Sequence, residues 1–155
     1  MLTDRDKKYL RALYLLDSQN EPVGPTKLGM KMEVSRVGAL KKMRRLEFLG
    51  LGEYMDKHGF SLNDRGVEIV EKDVRNHHVL EKYFQEKLGF TSEEACEESA
   101  AMGPKVSDRF VDQVFDKIDH EIECECGCRI SPPYDHEDLK NCHWLKKQFH
   151  KEEEG

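Results

Sequence analysis

The residues best suited to metal or redox chemistry lie close together near the end of the chain. Cys124, Cys126 and Cys128 alternate with single other residues, and the pair Cys142–His143 follows 14 residues later. Three thiolates joined by a fourth cysteine or a histidine can complete a tetrahedral Zn²⁺ site, and cysteine thiolates also hold iron–sulfur clusters. The alternating spacing differs from the C-x-x-C of most zinc fingers, because neighbouring side chains diverge in an extended chain. Bound metal and unliganded thiols are therefore both open interpretations.

A second pair of candidate ligands lies in the middle of the chain. His77 and Glu81 are four residues apart in a predicted helix, so their side chains share one helix face. An imidazole together with a carboxylate suits Fe(II), Mn(II) or Zn(II). The alternative interpretation is an ordinary ion pair on the surface of the helix.

A third group of residues forms a basic helix face of the kind that contacts DNA. Ser35 is the predicted cap of a helix over residues 36–48, whose apolar and basic side chains lie on opposite faces. Such a helix can pack on a core and lie in the major groove. The residues expected to face DNA are Ser35, Arg36, Gly38, Lys41, Lys42 and Arg45. The simpler alternative is an amphipathic helix with a solvated basic face.

The basic helix is positioned by a predicted run of helices and one hairpin. Helices over about 3–18 and 26–32 precede it, and strands over 51–55 and 60–63 follow it. Two short helices joined by a tight turn and followed by a hairpin give the element order of a winged helix-turn-helix. Lys57 lies in the predicted turn of the hairpin, where its ammonium group can contact a phosphate.

The rest of the chain is predicted to be helical as far as the cysteine-rich tail. A long helix over 64–88 is followed by helices over about 92–102 and 108–119, and together they are expected to form a dimer interface. The predicted fold is mainly α-helical, in three parts. These are a winged helix-turn-helix DNA-binding domain (1–64), a helical dimerisation and metal-sensing domain (65–122) and a Cys/His-rich tail (123–155).

The charge distribution favours DNA binding, although the net charge of the chain is −6. Residues 1–50 contain 11 of the 25 Lys and Arg and 6 of the 31 Asp and Glu, which gives this part a charge of +5 and the remainder −11. A local basic surface can meet phosphates. No apolar stretch approaches the roughly 20 residues of a membrane span. The five cysteines are odd in number, and no apolar signal region is seen at the start. We therefore expect a soluble, cytoplasmic protein without a disulfide scaffold.

Several stretches before the tail have the order and spacing of one known family of regulators. They are Tyr9–Leu16, Leu46–Leu51, Leu62–Gly66, Arg75–Phe84, Glu94-Ala95-Cys96 and Ser107-Asp108. On these stretches the chain resembles the diphtheria-toxin-repressor family of iron- and manganese-dependent regulators. The resemblance implies a homodimer that binds a palindromic operator in double-stranded DNA, usually when it is loaded with Fe(II) or Mn(II).

The resemblance also implies a set of metal ligands. His77, Glu81 and Cys96 match positions that hold the cation in the family. Glu93 and Glu97 lie within one helical turn of Cys96 and are further candidate carboxylate donors. The alternative is that Cys96 is a small buried hydrophobic residue.

Four other ligand positions of the family are changed in this chain. Lys8 and Arg11 stand where family members place acidic or methionine ligands, and we expect both cations to repel a metal. Ser99 and Ala100 stand where the family has a glutamate and a histidine. A metal sensor built on this chain is therefore expected to use an altered site or the cysteine tail.

The expected function is a sequence-specific, DNA-binding transcription regulator, of the repressor type, that responds to a divalent metal. The alternative is a zinc or iron–sulfur redox protein or regulator that depends on the cysteine tail and binds DNA independently of the family's usual metal site. The sequence shows no nucleophile beside a base, no phosphate-binding glycine loop and no convincing acid–base pair. We therefore do not expect an enzyme.

Overall fold

The computed structural model describes residues 2–102, 105–118 and 139–149 of the chain. The helices in these ranges are α1 (Asp4–Leu15), α2 (Pro25–Met32), α3 (Arg36–Phe48), α4 (Asp64–Leu88), α5 (Ser92–Met102), α6 (Asp108–Phe115) and α7 (His143–Lys147). Strands β1 (Gly52–Met55) and β2 (Gly59–Leu62) form an antiparallel hairpin with Gly52 opposite Leu62. None of the helices in the described ranges has the length and hydropathy that crossing a bilayer requires. The mainly α-helical fold predicted from the sequence is confirmed.

Polar side chains at the start of α1 satisfy its first backbone N–H groups. The Thr3 hydroxyl accepts from the Asp6 amide at 3.0 Å, and the Asp6 carboxylate accepts from the Thr3 amide at 2.9 Å. This reciprocal capping box confirms Thr3 as the N-cap. The helix ends at Leu15, before the predicted Ser18, because Asp17 adopts a left-handed φ of 70°.

A tight turn joins α2 to α3, the predicted helix-turn-helix. Glu33 ends α2 in the left-handed region with φ 58°. A Cβ atom at Gly29 would lie 2.9 Å from the carbonyl oxygen of Val34, so glycine permits this close approach of the backbone. The Ser35 hydroxyl then accepts from the Gly38 amide at 3.0 Å and caps α3. The predicted bounds of α3 are confirmed.

The hairpin is fixed to the segment that follows α1. The Ser18 hydroxyl donates to the carbonyl of Phe60 at 2.6 Å and accepts from the amide of Leu62 at 3.2 Å. Val23 and Phe60 exchange two backbone hydrogen bonds of 2.9 and 2.8 Å. Because Phe60 is fully buried, these contacts hold the wing against the helical core. The completely buried members of that core include Leu10, Leu13, Leu28, Met43 and Leu46.

The chain divides into two compact units. The first contains the residues up to Val70 together with the segment from Leu145, and the second contains Glu71–Trp144. The domain boundaries predicted from the sequence stay predictions, because compactness in one chain tests neither independent folding nor dimerisation.

The second unit is built around two apolar clusters. One contains Leu80, Phe84 and Ala95, and the other contains Val79, Val111, Val114 and Ile118.

Helix α6 ends at Phe115, four residues before the predicted end of that helix. Phe110 on α6 is 47% exposed.

Candidate metal centre and nucleic-acid face

The second unit brings together three of the predicted metal ligands. His77 and Glu81 lie one turn apart on α4, with Nε2 and Oε2 separated by 3.0 Å. Cys96 on α5 places its Sγ 3.6 Å from the same imidazole nitrogen. The three ligand atoms all lie within 4.8 Å of one another. The side chains of His77 and Glu81 are 2% and 7% exposed, so the interpretation as a surface ion pair is wrong.

These three side chains fit one divalent cation. A Zn²⁺ ion binds imidazole nitrogen at about 2.0 Å and thiolate sulfur at about 2.3 Å. With those bond lengths, the 3.6 Å between His77 Nε2 and Cys96 Sγ corresponds to an angle of about 114° at the ion, close to tetrahedral. A carboxylate and a thiolate are costly to bury without a positive charge, and a bound cation would supply that charge.

Ser99, which occupies the position of a lost family ligand, orients the imidazole of His77. Its hydroxyl lies 2.7 Å from the carbonyl oxygen of His77 and 3.1 Å from Nδ1 of the same residue. If the hydroxyl donates to the carbonyl oxygen, the hydroxyl oxygen accepts a hydrogen bond from a protonated Nδ1. This tautomer leaves the Nε2 lone pair directed at Glu81 and Cys96. One sequence signal could have identified Ser99 as a neighbour of the cluster: it lies three residues after Cys96 along the same helix.

Residues that the sequence analysis did not link to the cluster surround it. The ring of Trp144 stacks on that of His77, with centroids 4.4 Å apart and planes 14° apart. His78 places Nδ1 3.9 Å from Glu81 Oε2, and its Nε2 lies 3.5 Å from the sulfur of Cys142. No sequence motif marks Trp144 or His78 as a neighbour of this site.

Of the residues that were grouped as a cysteine-tail site, the structure describes Cys142 and His143. Cys142 is buried beside His78, whereas His143 is exposed. Cys124, Cys126 and Cys128 lie outside the described residues. A tail site that contains these five residues therefore stays a prediction.

The two cations at changed ligand positions contact the end of the chain within the first unit. Lys8 Nζ lies 5.7 Å from the centroid of the Phe149 ring, and Arg11 Nε donates to Gln148 Oε1 at 2.8 Å. Lys31 Nζ also lies near this ring, 5.0 Å from its centroid. These side chains therefore take part in packing the C-terminal segment.

The remaining candidate donors on α5 are the carboxylates of Glu93 and Glu97. Glu93 and Glu97 are exposed, and so is Ala100. Within the described ranges, the possible metal ligands that lie close together are His77, Glu81 and Cys96, and neither Glu93 nor Glu97 belongs to that group. Substitution of a missing ligand by Glu93 or Glu97 therefore receives no support from the geometry.

The Lys and Arg residues that were predicted to face DNA, on α3 and in the turn of the hairpin, fall into two groups. Arg36 and Lys41 are exposed, and Lys57 is exposed in the turn of the wing with a left-handed φ of 68°. Lys42 is half-buried and Arg45 is partly exposed, and both contact Asp6 of α1. Contact of all these residues with DNA stays a prediction, but the last two have a clear partner within the protein.

The contact between α1 and α3 is a buried carboxylate with two cations. Lys42 Nζ lies 2.7 Å from Asp6 Oδ1, and the Arg45 guanidinium reaches Oδ2 at 3.0 Å. Burial of Asp6 opposes its ionisation, but hydrogen bonds from Arg45, Lys42 and Thr3 outweigh that effect and hold the pKa of this carboxyl well below its usual range. Lys42 also lies 5.3 Å from the centroid of the Tyr9 ring. No local sequence feature indicates this partner for Lys42 and Arg45.

Comparisons with known proteins agree with this combination of a winged helix and a metal-ligand cluster. Residues 63–132 match the model of the metal-binding and dimerisation domain of iron-dependent repressors. An uncharacterised helix-turn-helix-type transcriptional regulator from Methanocaldococcus jannaschii is 26% identical over 118 residues, which cover 71% of this chain and 94% of the relative.

Two solved structures extend the similarity to the fold. ScaR, in a structure with bound Zn²⁺, is 29% identical with a TM-score of 0.69 over 81% of this chain, which spans 58% of the ScaR chain. A hypothetical protein from Sulfolobus solfataricus has a TM-score of 0.75 and 18% identity, and covers 84% of this chain and 100% of its own. Together with the domain match and the regulator relative, these similarities confirm the resemblance of the chain to the diphtheria-toxin-repressor-like family of metal-dependent transcription regulators, whose members are repressors rather than enzymes.

Proposed function

We propose that a divalent cation bound by His77, Glu81 and Cys96 controls the binding of this chain, as a homodimer, to a palindromic DNA operator. The observation that carries the proposal is the buried cluster of imidazole, carboxylate and thiol atoms within 4.8 Å. It is tested by comparing the DNA affinity of the protein with and without metal.

The ligand set favours Fe(II) over Mn(II) as the controlling ion. Thiolate and imidazole ligands suit iron and zinc, whereas Mn(II) prefers oxygen donors. Cys96 and His77 supply the sulfur and nitrogen, and Glu81 alone supplies oxygen. Zn²⁺, the ion named for the ScaR structure, suits the same donors.

The cation would act by joining two helices of the second unit. His77 and Glu81 belong to α4 and Cys96 belongs to α5, so one ion would cross-link them. When bound, the ion supplies positive charge and coordination bonds that the buried ligands otherwise lack. An ion present at about 100 times its dissociation constant stabilises the form that binds it by about 2.7 kcal/mol. Ser99 assists by keeping the imidazole of His77 in the tautomer that can bind metal.

Exposed apolar residues in the second unit support a homodimer. Leu88 at the end of α4 is 52% exposed and Phe110 on α6 is 47% exposed. Both lie within residues 63–132, which match the metal-binding and dimerisation domain. Single exposed apolar side chains are also common on monomers, so the match to the dimerisation domain carries this part of the proposal. A two-fold dimer would match the two half-sites of a palindromic operator.

The exposed residues Arg36, Lys41 and Lys57 are the strongest candidates for DNA contact. We infer that Lys42 and Arg45 mainly position α3 through Asp6, because both already contact that carboxylate. This division separates residues that bind DNA from residues that hold the DNA-binding helix in place.

Replacing Lys41 with Ala is expected to weaken binding to DNA about 10-fold, since a lost contact to a base or phosphate costs about 1–3 kcal/mol. A phosphate contact would also reduce the dependence of log affinity on log salt by about one unit. The measurement is a fluorescence-anisotropy titration at several salt concentrations. Its probe is a duplex selected from a random-sequence pool with the wild-type chain.

Two control variants make this result specific. Lys117→Ala removes an exposed lysine from the second unit and should leave affinity unchanged. Lys42→Ala should lower the free energy of unfolding, because it removes a partner of Asp6. Equal affinities for Lys41→Ala and wild type would show that α3 is not the DNA-reading helix.

A further inference from the structure

We propose that Trp144 positions the imidazole of His77 for binding of the controlling cation and raises the affinity of the site for that cation. The inference rests on the proposed function, because it concerns the same ion. It adds a residue that does not itself coordinate metal. Trp144 belongs to α7, whereas the ligands belong to α4 and α5. All of them lie in the second unit.

Contacts at the edge of the His77 ring constrain its nitrogen atoms more than its tilt. The Ser99 hydroxyl lies 3.1 Å from Nδ1, and Glu81 Oε2 lies 3.0 Å from Nε2. The second side-chain torsion of histidine has a broad energy minimum, so the tilt of the ring depends on what packs against its faces. That tilt decides whether the Nε2 lone pair points at the ion, and residues that orient a ligand in this way contribute to metal affinity.

The indole of Trp144 restrains that tilt from one face of the imidazole. The two rings are stacked, with centroids 4.4 Å apart and planes 14° apart. Trp144 is half-buried and the side chain of His77 is 2% exposed, so the indole contributes to the burial of the imidazole. A contact over a whole ring face opposes tilting, which a hydrogen bond to a single ring nitrogen does not.

The stack also favours the metal-bound form of His77. A cation on Nε2 withdraws electron density from the imidazole, and the electron-rich face of an indole attracts positive charge. Tryptophan offers the best such face among the side chains, and the 4.4 Å between centroids lies within the range of about 6 Å over which this attraction acts. Because the attraction is stronger with the ion bound, it raises the affinity for metal and does not merely stabilise the fold.

The chain just before Trp144 is attached to the same part of α4. Cys142 is completely buried, and its Sγ lies 3.5 Å from Nε2 of His78, the spacing of an S–H···N hydrogen bond. The amide of Cys142 donates to the carbonyl of Leu139 at 3.0 Å, and Leu139 is buried as well. Two consecutive residues of α4 therefore contact Cys142 and Trp144, and this attachment fixes where the indole meets the imidazole.

The test compares Zn²⁺ affinities, measured by competition with a chromophoric chelator. It uses the full chain with Cys124, Cys126 and Cys128 replaced by Ser, so that thiols of the tail do not bind the ion. Trp144→Leu keeps an apolar side chain without an aromatic face, and it is expected to weaken Zn²⁺ binding about 10-fold, the lower end of the effect of residues that orient a ligand. Trp144→Phe keeps an aromatic face and should stay within about 3-fold of the parent protein.

A double-mutant cycle with His77 separates positioning from a general structural effect. Because Trp144 acts through His77, Trp144→Leu should cause no further loss of metal affinity once His77→Gln is present. Independent effects would instead multiply. The matched control is Tyr54→Leu, the same kind of change at a half-buried aromatic residue of the hairpin, which should leave Zn²⁺ affinity unchanged.

Trp144 is the only tryptophan of the chain, so its fluorescence reports on the stack directly. Zn²⁺ should change this fluorescence in the parent protein, with the same midpoint as metal binding, but not in His77→Gln. Circular dichroism checks the folding of each variant, and Trp144→Met carries the test if Trp144→Leu does not fold.

Parent-level Zn²⁺ affinity in the folded Trp144 variant, or a loss that persists undiminished with His77→Gln, would overturn the role of Trp144. Failure of the proposed function gives a different result, because His77→Gln itself would then retain the affinity of the parent protein. A loss in His77→Gln without one in Trp144→Leu would contradict the positioning role alone.

Discussion

Replacing His77 with Gln is expected to weaken the binding of Fe(II) or Zn(II) more than about 100-fold, since even residues that only orient a ligand contribute about 10–100-fold. His77 has the central place in the cluster, with Glu81 Oε2 at 3.0 Å and Cys96 Sγ at 3.6 Å from its Nε2. Glutamine retains much of the side-chain volume but offers no imidazole nitrogen. The measurement is competition for the metal with a chromophoric chelator of known affinity.

His143→Gln is the matched control for this loss, because it makes the same change at an exposed histidine. Cys96→Ser provides a second variant, with one atom changed and the fold expected to be retained. Wild-type metal affinity in both His77→Gln and Cys96→Ser would show that the cluster is not the metal site. Equal losses in His77→Gln and His143→Gln would point to a general effect on the protein.

Replacing Asp6 with Asn is expected to lower the free energy of unfolding by about 2–3 kcal/mol. Removing one partner of a buried ion pair costs about 3–5 kcal/mol, and the partial exposure of the Arg45 side chain, at 41%, reduces that cost. Asparagine can still accept from the Thr3 amide, so the N-terminal cap of α1 is largely kept. The measurement is denaturant unfolding followed by circular dichroism.

The stability difference between wild type and Asp6→Asn should depend on pH. The pKa of Asp6 in the folded protein is below its ordinary value of 3.8, so on acidification the unfolded state takes up the proton first. The stabilisation from Asp6 is therefore fully present at neutral pH and declines as the pH falls below about 5 towards the folded pKa.

Asp4→Asn is the control for the stability of α1, because Asp4 is an exposed acid in the same helical turn. Loss of the Asp4 charge should lower the free energy of unfolding by about 0.3–1 kcal/mol, through the helix dipole alone. A stability difference between wild type and Asp6→Asn that stays constant from pH 7 to pH 2, or that is no larger than for Asp4→Asn, would contradict the buried ion pair.

Local sequence features were sufficient for most of the helical elements. Thr3 and Ser35 cap their helices as predicted, because a hydroxyl placed before a helix can accept from its free N–H groups. The bounds of α4 were predicted correctly because Gly89, with a left-handed φ of 69°, follows its last residue. The shared face of His77 and Glu81 likewise follows from their spacing.

The contacts that define the site could not be predicted from the sequence, because they join residues that are far apart along the chain. Periodicity shows which side of a helix is buried, but it does not show which neighbour covers that side. Ser99 contacts His77 across 22 positions, and Cys142 contacts His78 across 64. Asp6 similarly pairs with Lys42 across 36 positions. The basic face of α3 was therefore read as one surface, although part of it faces α1.

The measurement that tests the central proposal most directly is the affinity of the full chain for its selected DNA duplex before chelation, after chelation, and after anaerobic reloading with Fe(II). Metal content is determined on each sample, and Cys96→Ser is measured in parallel. We predict that metal removal lowers the affinity about 10-fold or more, within the usual coupling of about 5–150-fold. Reloading should restore the wild type but not Cys96→Ser. Unchanged affinity in a sample shown to be metal-free would contradict metal control of DNA binding.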